Sequence, residues 1–181
     1  MIRSYLSALL LLAATAGVAA PLKTIRSCNL SDGSKVMLQA ETTVEGKRLY
    51  LTLNGKTERA FVDMPKTDLV GEVALAKCVD GALIFALQYG SPYLKGSAIR
   101  RNPVDGAMER LDFAEKALPR WFYGNATEMR VVIPNVGNES PSKYLIYTFI
   151  AGRGQSSEPT GEDVLPDKQG FTVHRVPVPR P

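Results

Sequence analysis

Soft metal ligands are scarce in this sequence: 181 residues hold two cysteines and a single histidine. That scarcity excludes most zinc and haem arrangements, which need three or four such ligands. Phosphate-cradling glycine loops are missing as well. Gly152-Arg153-Gly154 lacks the third glycine of a dinucleotide loop, and no Gly-x4-Gly-Lys-Ser/Thr stretch occurs. There is no Asp-x-Asp-x-Asp-Gly calcium loop. Nor is there a Gly-x-Ser-x-Gly elbow, so any histidine-based triad would depend on His174 alone. Charge of one sign is also modest. A formal net charge of +4 is too small an excess to point to nucleic acid. No metal, cofactor or nucleic-acid partner is expected.

Long hydrophobic runs are absent too. The best apolar stretch, Leu6 to Ala14 broken only by Ser7, falls short of the roughly 20 residues that span a bilayer. It follows Arg3 and ends in Ala16, Gly17, Val18, Ala19 and Ala20, the charged–apolar–small order of an export signal. The expectation is a cleaved signal peptide over 1–20 and a mature chain, periplasmic or secreted, without a transmembrane segment. In an oxidising compartment Cys28 and Cys78, fifty residues apart, are expected to pair. Closing a loop of that length stabilises a fold by roughly 4 kcal/mol on the chain-entropy account.

What the chain does have is alternation. Val36, Leu38 and Ala40 share one face, and Leu49, Leu51 and Leu53 repeat the pattern after a turn at Glu45-Gly46. Asn54-Gly55 and Asp80-Gly81 are hairpin signals, because both positions of a type I′ turn need positive φ. They predict a return strand over 56–63 and a second hairpin pairing 72–79 with 82–89. In that last segment Leu83, Phe85 and Leu87 face one way and Ile84 and Ala86 the other, which predicts a central strand covered on both sides.

Further strands are expected at 95–101, 108–111, 127–133, 143–151 and 171–176. A polar loop over 152–170 carries a net charge of −2. Asp112-Phe113-Ala114-Glu115 has capping-box spacing, which predicts one short helix over 113–118, stopped by Pro119. The fold class is therefore mainly β: a single antiparallel sandwich or partly open barrel with one short helix. The domain is expected over 21–176, with a proline-rich tail at 177–181.

Two functional readings follow. Asp105, Glu109, Asp112 and Glu115 lie close in sequence to Trp121-Phe122-Tyr123, the raw material for carboxylate-dependent glycan processing. However, Arg100, Arg101, Arg110, Lys116 and Arg120 interleave with these acids, so solvated ion pairs explain them without catalysis. The favoured reading is a binding protein. Residues 89–123 hold six of the fourteen aromatics and six Lys/Arg, the composition of interaction surfaces. Tyr93, Arg100, Arg101, Arg120 and Trp121 are the candidate contact residues, with Trp121 and Phe122 also suited to plugging the core. The expected partner is another protein or a cell-envelope glycan, in an inhibitor, immunity-type or assembly role.

Overall fold

The computed structural model of the protein describes residues 21–62, 64, 69–137, 141–156 and 158–178. The export signal expected at 1–20 and the last three residues of the tail lie outside them. Regular structure among the described residues is entirely strand, in two antiparallel sheets that do not close into a barrel. The first sheet comprises β1 (Lys23–Asn29), β2 (Lys35–Thr43), β3 (Gly46–Leu53), β4 (Lys56–Arg59), β5 (Val70–Val79), β6 (Ala82–Gly90), β7 (Tyr93–Arg101) and β8 (Met108–Glu115). Its order is β1-β2-β3-β5-β6-β7-β8, with β4 paired to β3. The second sheet holds β9 (Trp121–Gly124), β10 (Glu128–Pro134), β11 (Tyr144–Ile150), β12 (Gly154–Gln155), β13 (Thr160–Glu162) and β14 (Thr172–Arg175). Its order is β12-β11-β10-β9-β14, with β13 also on β11.

Turn chemistry and alternation build this meander as expected, except that the return strand expected over 56–63 ends at Arg59 as β4, with residue 63 outside the described residues. Asn54 and Gly55 adopt φ of 50° and 78°, and Asp80 and Gly81 adopt 46° and 67°, so both tight hairpins use the left-handed region. β6 is buried from Ala82 to Leu87. Its Leu83, Phe85 and Leu87 pack with Val36, Leu38, Leu49 and Leu51 of the N-terminal strands and with Phe61 just past β4. Its Ala82, Ile84 and Ala86 pack instead with Phe122, Met129, Val131 and Ile133 of the second sheet. Full burial of each large side chain contributes roughly 1.5–3 kcal/mol, so both cores lean on one strand.

Gly96 on β7 lies opposite Phe113 on β8. A Cβ there would collide with the Phe113 ring and the Phe85 carbonyl, so only glycine lets the ring cross the strand. Cys28 on β1 and Cys78 on β5 form the expected disulfide. The bond ties β1 alongside β5, with which it shares no ladder among the described residues.

The short helix is not there. Residues 108–115 form β8, whose Glu109, Leu111 and Phe113 are buried at a period of two. Asp112 turns the opposite way and accepts hydrogen bonds from Arg110 Nε (2.9 and 3.0 Å) and from the Ser97 hydroxyl. A capping box needs its acid free to reach backbone N–H groups; here a cross-strand partner holds it. The loop expected at 152–170 also contains two short strands, β12 and β13.

Candidate functional site

The five candidate contact residues separate into four places. Tyr93, at the start of β7, is 48% exposed, with the Lys116 ammonium 5.7 Å from its ring centre. Arg101 bonds the Gly106 carbonyl through Nη1 at 3.0 Å and faces Asp32 at 3.5 Å. The Ser34 amide and hydroxyl, which bond the Asp32 carboxylate, hold its pKa below the ordinary range, with Arg101 adding to the same effect.

Arg100 corrects the surface reading of the sequence: it is 5% exposed, bonded to both sheets. Its Nε lies 2.6 Å from Glu109 Oε2, and its Nη2 donates to the Glu128 carbonyl at 3.1 Å. Asn102 completes the corner, donating to Glu109 Oε1 at 2.7 Å and to the Ala126 carbonyl at 3.0 Å. Glu109 is 2% exposed. Burying this charge pair is costly unless further hydrogen bonds support it; here the Glu128 carbonyl supports Arg100 and Asn102 supports Glu109. Arg100 and Asn102 therefore pin the start of β10 and the turn before it to the first sheet.

Arg120 and Trp121 do come together. They line a groove of about 500 Å³ with Pro134, Arg175, Val176, Pro177 and Val178. The groove exists because β14 adds antiparallel to β9, placing Arg175 directly opposite Trp121. Strand alternation sends Phe122 into the core between the sheets and puts Trp121 and Tyr123 together on the other face, where Tyr123 is fully buried and Trp121, at the margin, only partly so. The Trp121 ring is half-buried and meets Tyr144 edge-on, 5.6 Å between centres. Arg120 and Arg175 are exposed, and their guanidinium groups have no ion-pair or hydrogen-bond partner among the described residues.

Compared with protein families, with characterised proteins and with solved structures, the chain matches none.

The acids singled out from the sequence are each engaged. Glu109 holds Arg100 and Asn102, Asp112 holds Arg110, and Asp105 accepts from the Ala107 amide. Glu115 accepts the Tyr147 hydroxyl at 2.7 Å. Burial, reinforced by that bond to Glu115, pushes the Tyr147 phenol well above its ordinary range. Tyr123 is raised too, chiefly by burial. Its hydroxyl donates to the Pro166 carbonyl at 3.1 Å and so anchors the acidic loop over the second sheet. His174, on β14, faces the Asp80 carboxylate at 3.3 Å.

Among the described residues no group of three His, Cys, Asp or Glu side chains could hold a metal ion. No helix there is long and apolar enough to cross a membrane.

Arg175 escaped the sequence reading. The alternation of 171–176 puts it on one face with Val173, but only the register of β14 against β9 shows that this face belongs to Trp121. A second cleft, of about 260 Å³, opens where the curled first sheet brings Leu51, Leu53 and Lys56 opposite Ile99, Met108 and Arg110. Arg110 is saturated there by Asp112, the Ser97 hydroxyl (3.0 Å) and the Ala60 carbonyl (2.6 Å), so the cleft presents mainly apolar wall.

Proposed function

We propose that this is an exported binding protein that docks an acidic surface of another envelope or secreted macromolecule in the Arg120–Trp121–Arg175 groove. An inhibitory, immunity-type or assembly role fits that reading. The observation that carries it is the pair of unpartnered guanidiniums beside a half-buried indole. Arginine forks match carboxylates in a bidentate fashion, and an indole supplies contact area at low entropic cost. The Cys28–Cys78 disulfide supports a life in an oxidising compartment.

The test is capture from envelope extract with the full-length mature chain and with an Arg120→Glu/Arg175→Glu variant. A partner retained by the parent and lost by the variant, at equal melting temperature, is the expected result. Equal capture by both would sink the groove. Turnover of an envelope glycan that disappears with Glu115→Gln at an unchanged melting temperature would replace binding with catalysis.

A further inference from the structure

Among the described residues the two sheets present five edges; β4, an exposed hairpin arm over Lys56–Arg59, carries charges of both signs, and three others are blunted. On β8, both the N–H and the C=O of Asp112 are taken by the side-chain amide of Gln155, at 2.7 and 2.6 Å. β1 lies beside β5, held by the disulfide and by Arg26 Nε donating to the Ala76 carbonyl at 3.2 Å. β12 and β13 are two and three residues long. An exposed edge is a template for another strand, and proteins manage such edges explicitly.

β14 differs. The Val176 N–H donates to the Arg120 carbonyl at 3.0 Å, which sets the alternation of the β14–β9 ladder. His174 and Thr172 then bond inward to β9, while Val173 and Arg175 turn their N–H and C=O groups away from the sheet. No described residue meets those outward groups. Pro177, lacking an N–H, ends the edge just past Arg175. The open stretch is four residues, about 13 Å at ~3.3 Å per residue.

The geometry points to strand addition: β14 accepts an extended acidic polypeptide segment as a further antiparallel or parallel strand of the second sheet, guided by Arg175 and Arg120. This rests on the groove assigned above and names its occupant. Main-chain bonds to Val173 and Arg175 would give affinity, and carboxylates facing the two guanidiniums would give specificity. Charge decides against a second copy of this chain, because pairing two β14 edges would bring both arginine pairs to one seam. An acidic glycan could answer the guanidiniums but would leave the outward backbone groups unpaired.

The test uses the full mature chain, isotope-labelled, and an eight-residue peptide of alternating glutamate and valine. Its comparators are the same peptide N-methylated at the odd residues, the same peptide N-methylated at the even residues, and a short galacturonate oligomer. The expected result is slowed amide exchange at Val173 and Arg175 on binding the unmodified peptide. Affinity should fall about tenfold for the better-blocked N-methylated register, the loss of two hydrogen bonds, and by a similar factor for Arg175→Ala.

Binding that ignores N-methylation but needs the arginines would overturn strand addition and leave the groove standing. Tighter binding of the uronate would assign the site to glycan. No peptide binding at millimolar concentration would overturn the inference, and indifference to both arginines would remove the groove as well.

Discussion

Arg100 and the pair Arg120 and Arg175 carry the same charge near the same strand, yet they live in opposite states. Arg100 is enclosed, with a carboxylate and a carbonyl on its fork; the other two stand in a groove without partners. The difference arises from register. Arg100 faces Glu109 across β7 and β8, on the side that meets the second sheet. Arg175 faces Trp121 across β14 and β9, at the margin of the other. An arginine beside aromatics is thus a structural pin or a recognition group according to whether the sheet supplies its acid. In this molecule the corner consumes its polar groups and the groove offers them.

The contrast can be broken most forcefully at the corner. Arg100→Ala strands Glu109 as a buried, unpaired charge and should cost about 3–5 kcal/mol, lowering the thermal midpoint by about 10 °C. Replacing both partners with apolar residues of similar size, Arg100→Met with Glu109→Leu, should recover most of that loss. If calorimetry placed Arg100→Ala within half a degree of the parent, the corner would not be a pin.

Asn102→Ala should follow, at about 1–3 kcal/mol, because Glu109 Oε1 loses its donor while staying buried; urea unfolding at neutral pH measures it.

Next comes the alkaline limb. Tyr147 has a phenol pKa raised by burial and by Glu115 in the folded protein. Its contribution is therefore whole below about pH 10, the ordinary value for an unfolded tyrosine, and is lost as pH rises through the higher folded value. Tyr147→Phe should make stability fall less steeply between pH 9 and 11 in denaturant titrations. An unchanged slope would assign the alkaline loss to other groups, Tyr123 first.

The smallest stability effect belongs to the groove: Arg120→Ala and Arg175→Ala should each stay within about 0.5 kcal/mol. A larger loss would show that these side chains hold the fold and would erase the contrast.

Much of this architecture could be read from alternation. The double-faced pattern of Ala82 to Leu87 announced a strand between two cores, and Asn54-Gly55 and Asp80-Gly81 announced their turns. β1 was not legible, because its residues are mostly exposed and show no period of two. The mistaken helix at 113–118 came from local capping chemistry, which cross-strand partners outweighed once Leu111 and Phe113 had a sheet to bury against. At the site, residue type pointed to Arg120 and Trp121, but burial of Arg100 and the arrival of Arg175 depend on pairings between distant segments. Such pairings leave no mark in a single chain's local pattern.

β6 carries a last consequence. Adjacent residues along it, Ile84 and Phe85, belong to different halves of the protein. A cavity cut at either would be felt through the same backbone, so the halves should melt as one cooperative unit. Neither half is a fragment that could be exchanged, shuffled or expressed alone while keeping its own wall.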